Sequence, residues 1–143
     1  MYKRVFLDAN IFIDASDNRR KTYQESLDIL IYLAHNQIDI YTSCDLITTI
    51  YYILAKQDRD KALDSIEYIN SFSKVIEFDN KEINECCLLM RRDSNFIDLE
   101  DTLQYILAKK VDCELIISND KNFYSKDIKL MKSNQFIEYI KTH

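Results

Sequence analysis

A chain of 143 residues, 47% hydrophobic and 30% charged, is long enough to bury a core and is expected to form a single domain over residues 1–143. Its formal charge of −5 excludes a protein that coats nucleic acid by charge alone, and no apolar run approaches a membrane span. With neither Gly nor Pro anywhere, a Gly-rich phosphate loop or dinucleotide fingerprint is excluded, and Asn becomes the expected residue where φ is positive.

Lys3 to Leu7 reads as a strand, and Asp8 follows it directly. The apolar segment before Asp8 is too short for a signal peptide, so the protein is expected to be cytoplasmic. Asn10 to Ala15 predicts a short helix or turn, and Ser16 to Lys21 a polar loop containing the basic run Arg19-Arg20-Lys21. From Thr22 to Asn36, Tyr23, Leu27, Leu30, Ile31 and Ala34 recur at helical spacing.

Ile38 to Thr42 alternates as a strand, and Ser43 or Cys44-Asp45 can cap a helix to about Lys56 with Leu46, Ile50, Ile53 and Leu54 on its apolar face. Gln57 to Asp60 breaks the pattern, and Ala62 to Phe72 resumes it through Leu63, Ile66 and Ile69. Lys74 to Phe78 predicts a third strand. Asp79 and Glu82 form a capping box for a helix to Arg92. Asp98 opens a helix to Lys110, Glu114 to Ser118 is a strand, Ile128 to Met131 a short last strand, and Ser133 caps a terminal helix.

Strands separated by whole helices favour a parallel sheet. The expected fold is an α/β three-layer sandwich with a central parallel sheet of four to five strands. Cys44, Cys86, Cys87 and Cys113 form no C-x-x-C pair, and His35 and His143 are isolated, so a zinc site is not indicated and buried thiols are expected.

In a parallel sheet Asp8 and Asp120, each following an apolar strand, reach the same carboxyl edge. Glu100 and Asp101 open the helix that feeds the fourth strand, and so face that edge too. Carboxylates that converge without a matching cation repel one another. Oxygen-only ligands then select Mg²⁺ or Mn²⁺ over zinc. Each acid also has a plainer explanation: Asp8 and Asp101 suit helix starts, and Asp120 in Ser-Asn-Asp-Lys-Asn suits a turn.

Three segments together carry a resemblance. Val5-Phe6-Leu7-Asp8-Ala9-Asn10, Leu99-Glu100-Asp101-Thr102-Leu103 and Ile116-Ile117-Ser118-Asn119-Asp120-Lys121-Asn122-Phe123 resemble, in order, the first, third and closing motifs of PIN-domain nucleases. The resemblance implies a divalent-metal-dependent ribonuclease, often the VapC-type toxin of a toxin–antitoxin pair. Asp8, Asp101 and Asp120 match its metal-binding acidic positions, and Glu100 is a neighbouring catalytic candidate. Ser118 matches the residue that orients the last Asp, and Asn10 the first motif's polar residue. The family's second acidic residue falls on Thr49, a poor anionic ligand, with Asp45 one helical turn earlier. An RNA substrate, a cognate antitoxin and a homodimer are implied as partners.

Metal-assisted phosphodiester hydrolysis requires no protein nucleophile, and no Ser–His or Cys–His pairing is visible. Arg19-Arg20-Lys21, Arg91-Arg92 and Lys109-Lys110 are candidates for an RNA groove, and Tyr41, Tyr51, Tyr52 and Tyr105 for base stacking. The rival of another class is an inactive PIN-like module that binds RNA or protein, which Thr49 favours. A haloacid-dehalogenase-type phosphatase is disfavoured because position 10 is Asn rather than Asp.

Overall fold

The structure, a computed structural model, describes residues 1–143. In chain order the elements are β1 (Arg4–Leu7), α1 (Ala9–Ala15), α2 (Tyr23–His35), β2 (Asp39–Ser43), α3 (Cys44–Ala55) and α4 (Arg59–Phe72). They continue with β3 (Ser73–Ile76), α5 (Asn80–Arg92), α6 (Leu99–Lys110), β4 (Leu115–Ile117), β5 (Lys129–Met131) and α7 (Ser133–Thr142). All five strands are parallel, in the order β3-β2-β1-β4-β5.

The order follows from hydrophobicity. Val5, Phe6, Leu7 and Leu115, Ile116, Ile117 are fully buried, as strands covered on both faces must be, whereas β3 and β5 at the edges are partly exposed. From β1 the chain steps outward through β2 to β3, then returns across β1 to β4. Right-handed crossovers therefore place α1 to α4 on one face and α5 with α6 on the other. The strand order reverses between β1 and β4, and such a switch point opens a crevice at the carboxyl edge. Asp8 and Ser118 directly follow the two strands that flank it.

Several helix readings needed correction. On α2 the buried face is Ser26, Ile29 and Leu33, not the stripe through Leu27, Leu30 and Ile31; Ile31 is exposed. Apolar residues surround this helix, so spacing alone did not define its phase. Helix α4 begins at Arg59 because Asp58 accepts a hydrogen bond from the Lys61 N–H (3.0 Å), turning an apparent break into a cap. Strand β3 ends at Ile76, and Lys132 rather than Ser133 precedes α7. The Ser133 N–H instead donates to Asn119 Oδ1 at 2.8 Å. The capping box of Asp79 and Glu82 is formed as expected. Cys86 and Cys113 are buried, but Cys44 and Cys87 are exposed.

Positive φ falls on Gln37 (56°) and Asp112 (59°), not on Asn. Each is the residue beyond a helix C-cap. The following N–H groups of Ile38 and Cys113 donate to Leu33 O and Ala108 O, both at 2.9 Å, and turn the chain sharply into β2 and β4. A side chain with a Cβ costs about 1–2 kcal/mol in this conformation. Gln37→Gly is expected to stabilise the protein by about 1 kcal/mol in urea denaturation. An unchanged or lower midpoint would contradict the strain assigned here.

Candidate functional site

Asp8 occupies two structural positions at once. It directly follows β1, with its N–H on Ile117 O (3.1 Å), and it is the N-cap of α1, its Oδ1 accepting from the Ala9 N–H at 2.7 Å. Its Oδ2 accepts from Ser118 Oγ at 2.7 Å. Ser118 Oγ in turn accepts from the Asp120 N–H at 3.1 Å, and Asp120 Oδ1 accepts from the Asn122 N–H at 2.9 Å. A chain of donors therefore runs from the loop after β4 through Ser118 to Asp8, fixing both carboxylates across the switch point. The loop chemistry of Asp120 is real, and it coexists with this placement.

Asp101 comes from the opposite side, in the first turn of α6. Its N–H donates to the N-cap Asp98 Oδ2 at 2.9 Å, which frees its own side chain to point inward. Asp101 is 5% exposed, and its Oδ2 has no hydrogen-bond partner. It stands within hydrogen-bond reach of Asp120. Burial, then Asp120, then the charges of Asp8 and Asp98 push its carboxyl up to about 8. Burial also raises Asp8, against the opposing hydrogen bond from Ser118. Glu100, although exposed, is raised by partial desolvation and by the charges of Asp8, Asp45, Asp98 and Asp120.

None of Asp8, Asp45, Asp98, Glu100, Asp101 or Asp120 takes part in any ion pair of the protein. A carboxylate cluster with two buried members, Asp8 and Asp101, and no counter-cation is what a hard divalent ion would neutralise, and every donor is oxygen. The orphaned Asp101 Oδ2 is a free ligand atom, so the residues fit such an ion. No three His, Cys, Asp or Glu side chains stand at the mutual spacing of a metal-ligand shell in this structure.

The supporting residues divide. Ser118 joins Asp8 to Asp120, whereas Asn10 is exposed on α1 and lines a polar hollow with Asp14, Arg20 and Asn119. Thr49 Oγ1 donates back to Asp45 O at 3.4 Å, and Asp45 Oδ1 accepts from Ser43 Oγ at 2.5 Å. Of the basic run, Arg19 is bound to Asp17 (3.0 Å) and Arg20 to Asp14 (3.4 Å) and Asp17 (3.7 Å), which leaves only Lys21 unpaired. Tyr105 is buried and donates its hydroxyl to Asp127 at 2.6 Å, so it is not a base-stacking surface.

Gln104 escaped the sequence reading. It is fully buried on α6, and neither atom of its amide is hydrogen-bonded. It lies beside the Asp8 carboxylate, close enough to favour its ionised form without reaching hydrogen-bond geometry. A Gln three residues after Asp101, on the same face of the predicted helix, was the available signal.

The raised carboxyls carry a stability consequence. Asp101 holds its proton in the folded state at pH values where the unfolded chain has released it. Its contribution to stability is thus complete below 3.8 and lost as pH rises through about 8. Melting of the metal-free protein in EDTA is expected to move to lower temperature across that interval. A rise with pH would show that the cluster is not under repulsive strain.

Residues 4–122 match the family model described as PIN domain. The chain is 46% identical over 136 residues to Ribonuclease VapC1 of Aquifex aeolicus (strain VF5), covering 95% of this chain and 94% of that protein. Among solved structures, VapBC2 from Rickettsia felis bound to a promoter DNA fragment superposes with a TM-score of 0.66 at 19% identity, over 90% of this chain and 98% of that one. The sarcin-ricin-loop-cleaving toxin VapC20 of Mycobacterium tuberculosis gives a TM-score of 0.67 at 12% identity, over 83% of this chain and 92% of that one. At these identities the structural matches speak for the fold, while the family match and the Aquifex relative span the motifs that carry Asp8, Asp101 and Asp120. The chain belongs to the PIN-domain family.

Proposed function

We propose that this protein is a divalent-metal-dependent endoribonuclease, using Mg²⁺ or Mn²⁺, and the toxin of a type II toxin–antitoxin pair. The observation that carries the reading is the convergence of Asp8, Asp101 and Asp120 at the switch point with no counter-cation. The ribonuclease name of the Aquifex relative supports it, as does the fold shared with VapC20, a sarcin-ricin-loop-cleaving toxin. A cognate antitoxin is the corresponding partner.

Asp8, Asp101 and Asp120 would hold the ion. When bound, it would lower the pKa of a water and offset charge on the scissile phosphate. Asp8 is positioned for this by Ser118 and the Ala9 N–H, which keep its carboxylate from rotating. Glu100, exposed on α6 and raised by partial desolvation and then by its acidic neighbours, would serve as the group that exchanges a proton at the reacting edge. Thr49 and Asp45 lie one turn apart at the start of α3, and Asp45 is close enough to Glu100 to act on its charge.

Purified protein should cleave RNA with Mn²⁺ or Mg²⁺ and not with EDTA, and Asp8→Asn should be inactive. Absence of cleavage over a broad RNA panel, together with no metal binding by calorimetry, would overturn the nuclease reading. It would favour the non-catalytic binding module that Thr49 in the acidic position suggests.

A further inference from the structure

Helix α6 carries two orphaned polar groups one turn apart on a single face. One is Asp101 Oδ2, which has no hydrogen-bond partner. The other is the Gln104 amide, of which both Oε1 and Nε2 are without partners although the residue is wholly buried. A buried amide left unbonded at both ends is destabilising, and Leu or Met would fill the same volume without that penalty. Other orphaned groups in the protein, the hydroxyls of Ser26, Tyr32 and Thr42, are single atoms, not paired with a second orphan on the same helix face. Residues Asp101 to Ala108 are all buried, and the Gln104 amide is out of contact with solvent.

The polarity of the amide narrows what it can do. Both Asp8 carboxylate oxygens act as acceptors, from the Ala9 N–H and from Ser118 Oγ, so of the two ends of the amide only the Nε2 donor complements them. Oε1 is then the free end of the amide, on the helix face that carries Asp101 one turn earlier. An oxygen in that position adds a ligand without adding charge, and amide carbonyls are ordinary ligands of hard divalent ions. The matching acidic position of the family pattern is held here by Thr49, whose hydroxyl is already committed to Asp45 O. The three carboxylates Asp8, Asp101 and Asp120 already exceed the charge of one divalent ion, so a fourth neutral donor suits this set better than a fourth acid.

We propose that Gln104 is a positioning residue of the metal centre: its Nε2 donates to the Asp8 carboxylate, and its Oε1 offers the ion or its hydration shell the neutral oxygen that Thr49 does not supply. This rests on the metal-dependent reading above and assigns to it a residue outside the acidic motifs. In this structure the amide acts on Asp8 only by proximity, and neither of its ends has a partner in hydrogen-bond geometry. Removing it should therefore be felt in metal affinity and not in the fold.

The test is calorimetric titration of MnCl₂ into metal-free wild type, Gln104→Met and Gln104→Glu, with melting of each protein in EDTA. Gln104→Met is expected to weaken Mn²⁺ binding by about 10- to 100-fold while melting no lower than wild type in EDTA. Gln104→Glu should lower the metal-free melting temperature, by adding a like charge, and should bind Mn²⁺ more tightly than Gln104→Met. Mn²⁺ affinity of the Met variant within about twofold of wild type would overturn the proposal while leaving the nuclease reading intact. A Met variant that unfolds or melts far below wild type in EDTA would also overturn it, since the amide would then be bonded within the metal-free fold. Failure of wild type to bind Mn²⁺ would overturn the metal reading itself, and this inference with it.

Discussion

Asp101→Asn is expected to reduce Mn²⁺-supported RNA cleavage by at least about 100-fold and, in the same protein, to raise the melting temperature of the metal-free form. The two effects have one cause. Asp101 is buried, within hydrogen-bond reach of Asp120, and subject to the charges of Asp8 and Asp98. Asn keeps the shape and removes the charge. The gain in stability should be absent in acid, where Asp101 is protonated, and should grow as pH rises toward about 8. Each kcal/mol corresponds to roughly 2–4 °C in a chain of this size. Melting curves in EDTA at several pH values, beside a cleavage assay, separate the possibilities. Lost activity with lower stability would make Asp101 a structural cap, and retained activity would remove it from the metal set.

Phe12→Ala should destabilise the protein by about 3–5 kcal/mol, at least about a fifth of the total stability of a typical domain. Phe12 is fully buried on α1, with its ring 6.3 Å from that of Phe72, between the helices that cover the first face of the sheet. The surrounding side chains belong to rigid elements, so the cavity cannot close fully. Phe12 also lies one turn along the helix whose N-cap is Asp8. Loosening this anchor should lower Mn²⁺ affinity as well, although Phe12 touches no ligand. Urea denaturation gives the first quantity and calorimetry the second. A loss below about 1 kcal/mol would mean that α1 is held mainly by its cap.

Much of the architecture was written in short-range chemistry. The apolar runs ending at Leu7 and Ile117, the alternation at β2 and the capping box at Asp79 identify elements because each depends on residues only a few positions apart. The parallel sheet followed from whole helices between strands, which leave no short hairpin available. The three motif acids were likewise legible, since a strand end and a helix start determine where an attached side chain can go. Phase was harder. The buried face of α2 through Ser26, Ile29 and Leu33 depends on which neighbours it meets, and its outer surface is apolar enough to offer a second stripe. The charge of Arg19-Arg20-Lys21 looked available for RNA until loop geometry returned most of it to Asp14 and Asp17.

By itself, then, the sequence determined the order of elements, the parallel class of the sheet and the identity of the acids at its carboxyl edge, because local periodicity and caps encode these. Only the tertiary structure decided that the strand order reverses between β1 and β4, that Ser118 links Asp8 to Asp120, and that Gln104 lies unbonded beside them. The physical reason is separation along the chain. Ser118 meets Asp8 from 110 residues away, and what such a pair shares is settled by packing of the whole core, not by any property of either segment alone.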